Sequence, residues 1–146
     1  MAETTGTRAS AALLILRLSL AIFLLQWSIE KFVVPEAAIR IGQNFYGVAL
    51  SGTSVAVLGV LETLVALALL FGIYRRLSYG LAALIHAVSV VATWRQLLLP
   101  YGAGQNHLFI AGVPVLAAFI LIYMLREWDG YSVEGWRKAR SERVTG

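Results

Sequence analysis

The chain alternates long apolar stretches with short polar joints, and the stretches are too long and too uniformly oily for the elements of a water-soluble domain. Residues 11–29, 54–74, 77–98 and 107–125 each hold about 20 mostly apolar residues. At about 1.5 Å of rise per residue, each crosses a hydrocarbon core about 30 Å thick. The pattern predicts four membrane-spanning helices. The joint over 30–53 is the longest, and it keeps a helical period. Ala38, Ile41, Phe45 and Val48 recur at spacings of three and four, while Glu36, Arg40, Gln43 and Asn44 take the other side. Pro35 suits a first helical position, where its missing N–H costs nothing. A short amphipathic helix in the membrane interface is therefore expected between the first and second spans.

These elements predict an all-α membrane protein: an antiparallel four-transmembrane-helix bundle with one additional interfacial amphipathic helix. Residues 1–146 form a single integral membrane domain that ends in a tail, 126–146. Composition agrees, with 59% hydrophobic residues and a mean hydropathy of +0.75 against the roughly half-apolar, quarter-charged make-up of soluble domains. The polar start, MAETTGTRAS, leads into an apolar run that contains Arg17 and lacks a small-residue cleavage site. That favours a retained span over a removed signal peptide.

The net charge of +4 reports topology. Arg8 precedes the first span, Arg75 and Arg76 lie between the second and third, and Arg126, Arg137, Lys138, Arg140 and Arg143 follow the fourth. The opposite side holds Lys31 and Arg40. By the positive-inside rule both termini are cytoplasmic. Basic residues placed in this way point to the lipid bilayer as partner and not to nucleic acid. In the tail, Trp128, Tyr131 and Trp136 among the basic residues suit a headgroup-level anchor. The absence of cysteine excludes an internal disulfide, a thiol relay and a thiolate-bound metal.

The first span closes on LQWSIEKFVVPE. Trp27 falls in the outer aromatic belt, and Lys31 can snorkel its ammonium to water. Ser19, Gln26 and Glu30 share one stripe at 100° per residue, which predicts a polar seam against protein. Three ionisable residues lie at membrane depth, where each needs a partner or a role: Arg17, Glu62 and His86. Arg17 is about 10 Å in from the cytoplasmic end, Glu62 near the middle of its helix and His86 about 14 Å into the third. An Arg17–Glu62 ion pair would cancel two buried charges. It reads either as a structural pair that fixes register or as part of a proton or ligand site.

Gly59 and Ala66 share the Glu62 stripe, and Tyr79, Ala82, Ala83, Ser89 and Thr93 share that of His86, so both acid and imidazole are expected to face inward. Arg95 falls on the opposite face, towards headgroups. Pro114 removes a backbone hydrogen bond from the fourth helix and is expected to kink it. Gln105, Asn106 and His107 start that helix, with Asn106 as N-cap. No metal or covalent cofactor is expected, because the two histidines lie near opposite depths and no ligand pair has helical spacing.

The stretch LRLSLAIFLLQWSIEKFVVPE, followed by an amphipathic segment and LGVLETLVALALLFG, resembles the DoxX-like family of small four-helix bacterial membrane proteins. The resemblance rests on Leu16 and Arg17, Lys31 and Phe32, Pro35, Gly59 and Glu62, and covers about the first half of the chain. It implies a location in the bacterial cytoplasmic (inner) membrane and a quinone-linked oxidoreductase assembly with other subunits. Three functional classes follow. The chain is a membrane subunit of such an assembly, with Arg17, Glu62, His86 and Tyr79 around a quinone or its proton path. Alternatively it is a noncatalytic anchor or assembly subunit that docks other proteins. The third class, a small-solute or proton carrier, lacks an inverted repeat or broken helix pair.

Overall fold

The computed structural model describes residues 2–104 and 106–145, with side chains from residue 6 to residue 144 apart from 105. Among these residues every regular element is helical. Helix α1 runs over Ala2–Val33, without proline and with its one glycine near the start. A short helix, α2 (Pro35–Ile41), carries Pro35 in its first turn and continues into a wider turn over Gly42–Tyr46. Glu36, Arg40, Gln43 and Asn44 are exposed, while Ala38, Ile41 and Phe45 are half-buried. The amphipathic helix expected between the first two spans is therefore present.

Helix α3 (Gly52–Phe71) starts on Ser51, whose side chain accepts the Ser54 N–H at 3.1 Å. It ends at Gly72, whose left-handed backbone (φ 64°) lets Ile73 N–H reach the Ala68 carbonyl at 2.9 Å. Helix α4 spans Arg75–Ala92. The expected continuous helix over 77–98 is instead interrupted. Thr93 turns its hydroxyl back onto the Ser89 and Val90 carbonyls at 3.0 and 3.1 Å, and α5 (Trp94–Leu98) follows as a separate short turn. Asn106 accepts the Leu108 N–H at 2.9 Å and opens a tight helical turn over His107–Ala111. Helix α6 then covers Gly112–Met124. Pro114 is the third residue of α6, in a first turn where its N–H is not needed, and the change of winding lies just before it. Gln105 lies outside the described residues. After a further turn over Arg126–Trp128 comes α7 (Val133–Thr145), a charged and mostly exposed helix.

Three stretches are long and apolar enough to cross a membrane: Gly6–Val33, Gly52–Phe71 and His107–Met124. Helix α4 is the less apolar element, since Arg75, Arg76, Ser78, His86 and Ser89 dilute it. Helix α1 packs along α3 and α6, and α4 packs along the same two. Leu20, Ala21 and Leu24 of α1, Ala66 and Leu69 of α3, Tyr79 and Ala82 of α4, and Phe119 and Ile122 of α6 meet in one core. Gly59 marks the closest approach of α1 to α3, because a Cβ there would stand 2.8 Å from the Phe32 ring and 3.2 Å from Lys31 Cβ. Outside this core α3 exposes Val57, Leu58, Leu61 and Leu64, the exterior expected of a helix solvated by lipid.

Helix α1 buries a different stripe from the one its polar residues suggest. Leu13, Arg17, Leu20, Ala21, Leu24 and Ser28 face the core, whereas Ser19 and Gln26 are exposed. Ser19 satisfies its hydroxyl on the Ile15 carbonyl at 2.9 Å, so it needs no partner helix. The expected Ser19–Gln26–Glu30 seam is thus corrected to a mainly apolar seam carrying one arginine.

Candidate functional site

The deepest polar cluster is built where four chain segments, α1, α3, α4 and the turn after α6, meet at one end of the core. Arg17 of α1 sets its Nε 3.0 Å from Asp129 Oδ2, donates to the Leu70 carbonyl, and donates to the Tyr131 carbonyl at 3.1 Å. Tyr79 of α4 donates its hydroxyl to the same Asp129 oxygen at 2.6 Å. Arg17, Tyr79 and Asp129 are all buried. The partner of Arg17 is therefore Asp129 and not Glu62. Antiparallel register decides this. Bonding to Leu70 puts Arg17 level with the far end of α3, eight residues or about 12 Å of rise beyond Glu62.

Asp129 reaches this depth because the turn 129–135 folds back under the helices. Ser132 presses on Gly72 so closely that a Cβ on the glycine would stand 2.3 Å from Ser132 Cβ. The Glu134 N–H donates to the Gly72 carbonyl at 3.2 Å. Arg75 locks the same junction. Its backbone N–H donates to Glu134 Oε2 at 2.8 Å, and its guanidinium donates to the Asp129 carbonyl at 3.1 Å and to the Arg126 carbonyl. Sequence reasoning used Arg75 as a loop charge, yet it is buried. Asp129 was missed because it lies past the last apolar run. The available signal was a lone Asp–Gly turn within the aromatic stretch REWDGYS.

Towards the other end of α1, Lys31 Nζ lies 2.5 Å from Glu62 Oε2 and 3.2 Å from the Trp27 carbonyl. Lys31 does not simply snorkel to water, as expected from the sequence. It folds across α3 and neutralises the one acid on that helix. Glu62 faces inward on the Gly59–Ala66 stripe, as expected.

His86 stands apart from both pairs. Its Nε2 is 2.9 Å from the Gly112 carbonyl at the start of α6, and its ring meets Phe23 at 5.2 Å and Phe119 at 5.4 Å between centroids. The imidazole is thus held by an edge-on aromatic contact and one carbonyl. Tyr79 is two helical turns away and committed to Asp129. The four candidate residues are accordingly divided among three separate contacts: Arg17 and Tyr79 on Asp129, Glu62 on Lys31, and His86 on Gly112.

No family model, curated protein or solved structure matches this chain.

Among the described residues, two surface concavities stand out. One, of 410 Å³, opens between the α3–α4 turn and α7 and includes Arg76, Leu77, Glu134 and Arg137. The other, of 370 Å³, is an apolar groove between α1 and α6 that includes Ala9, Leu13, Leu121 and Trp128. Neither is lined by Arg17, Tyr79, Glu62 or His86. Chemically, both ion pairs satisfy charge that would otherwise be costly at depth, and each ties two elements together. Arg95 is exposed and lies over the Trp94 ring at 5.4 Å, an arrangement suited to headgroup depth.

Proposed function

We propose that the protein is a four-span subunit of a bacterial inner membrane, with both termini cytoplasmic, that anchors or assembles other proteins. In this reading α1, α3, α4 with α5, and α6 cross the bilayer, and α7 projects from the inner face as the docking element. The observation that supports it is the closure of the interior charges. Arg17 and Tyr79 meet Asp129, and Lys31 meets Glu62, so these charges are paired within the chain and hold helices in register. The resemblance to DoxX-like proteins makes a quinone-linked oxidoreductase the partner class.

A second reading, quinone binding within the subunit, is favoured by His86 alone. An imidazole between Phe23 and Phe119 has the apolar walls and polar tip that a quinone ring and its carbonyl would meet. Quinone is then the cofactor, and Arg17, Tyr79 and Glu62 support the fold around it.

Purification from native membrane in mild detergent separates the two. The anchor reading expects partner proteins in fixed ratio with the chain, and unchanged quinone turnover of the assembly in His86→Ala and Glu62→Gln. Quinone retained by the isolated chain and lost in His86→Ala would replace it with the second reading. The span count has its own check. The chain has no cysteine, so single cysteines at Ser141 and Tyr101 report the two faces, with a membrane-impermeant maleimide expected to label only Tyr101→Cys in intact cells stripped of their outer membrane.

A further inference from the structure

The 410 Å³ concavity has a composition that the anchor reading does not use. It is lined by the apolar Ile73, Leu77 and Val133 together with Arg76, Arg137 and Glu134. The charge of Glu134 is already answered, because it accepts the Arg75 N–H at 2.8 Å and lies 3.7 Å from Arg75 Nε. Arg76 and Arg137 are exposed and form no salt bridge with a described residue. The groove therefore presents two uncompensated guanidiniums over an apolar floor.

Its surroundings say what fits. Leu77 begins a ridge that continues through Leu81, Leu84, Val88 and Val91, all exposed and all spaced by three or four residues on α4. That ridge runs for about 21 Å, longer than a hydrocarbon leaflet of about 15 Å. Tyr74, at the mouth, is the one non-glycine residue with a left-handed backbone among the described residues (φ 49°), and its ring is exposed beside the groove. A residue held in that region costs about 1–2 kcal/mol, and here it places an amphipathic ring among the lining residues of the groove.

We infer that this groove binds an anionic phospholipid, with the phosphate between Arg76 and Arg137 and an acyl chain along the α4 ridge. Guanidiniums match phosphate oxygens by paired N–H donors, and the ridge gives the chains a continuous apolar track. A soluble anion would use the arginines and leave the ridge without a role. The inference needs only that the chain sits in a bilayer, not that it serves as an anchor.

Native mass spectrometry of the full chain in detergent, titrated with phosphatidylglycerol or phosphatidylcholine, tests it. Phosphatidylglycerol should bind at one saturable site and phosphatidylcholine much more weakly. Arg76→Gln/Arg137→Gln should weaken phosphatidylglycerol about tenfold or more, while Arg140→Gln/Arg143→Gln, with the same loss of charge further along α7, should change it less than about twofold. Arg76→Lys/Arg137→Lys should recover part of the affinity. Equal binding of the two lipids, or equal losses in the two glutamine pairs, overturns the inference. So does displacement of the lipid by millimolar inorganic phosphate, which would make the groove a site for a free anion. The melting temperature of each variant, measured in parallel, shows that the fold is intact, since these side chains are exposed.

Discussion

The two ion pairs of α1 differ in what surrounds them. Nearer the start of α1, Arg17 and Asp129 are 3% and 0% exposed, and three further groups complete the cluster: the Tyr79 hydroxyl and the carbonyls of Leu70 and Tyr131. Towards the C-terminal end of α1, Lys31 and Glu62 are 20% and 11% exposed, and the Trp27 carbonyl joins them. A charge sealed from water cannot be relieved locally when its counter-ion goes. A charge on a flexible stem near the surface can swing out to water or headgroups. The Arg17–Asp129 cluster should therefore behave as a lock, and the Lys31–Glu62 pair as an adjustable clasp.

The comparison is tested most severely at Asp129. Asp129→Ala leaves Arg17 buried without its counter-ion, and should lower unfolding stability in detergent by about 3–5 kcal/mol. The double change Arg17→Met/Asp129→Leu should recover a large part of that loss, because it removes both charges together. A loss below about 1 kcal/mol for Asp129→Ala would show that the cluster is not a lock.

Gly72→Ala attacks the same junction through the backbone. The left-handed conformation alone costs a side chain about 1–3 kcal/mol, and the new Cβ would also overlap Ser132 at 2.3 Å. Thermal unfolding should show a clear loss, and faster proteolysis in the 126–136 turn should accompany it. Tyr79→Phe is milder. It removes one donor from a buried carboxylate and should cost about 1–3 kcal/mol, read by the same melts.

The Lys31–Glu62 pair should give the smaller response. Lys31→Met and Glu62→Gln are each expected to lower stability by about 1–3 kcal/mol, less than Asp129→Ala, because the pair is more open and fewer groups are fixed on it. A loss at Glu62 as large as that at Asp129 would erase the distinction between the two ends.

Much of the fold was legible because hydropathy and length are properties of the chain read in one dimension. The apolar runs, Pro35 at the start of α2, the Asn106 cap and the inward faces of Glu62, Tyr79 and His86 all follow from local spacing. The interruption at Thr93 was not legible, since hydropathy runs on across it while the backbone turns there.

Which charge meets which belongs to the tertiary structure. The sequence determined that Arg17 and Glu62 lie at depth and need partners. Only the packed chain decided that these are Asp129 and Lys31, because pairing depends on the axial register of α1 against α3 and on a turn that carries Asp129 back beneath the core. Register comes from contacts such as Gly59 against Phe32 and Gly72 against Ser132. Those contacts join residues far apart in the chain, and no local pattern encodes their meeting.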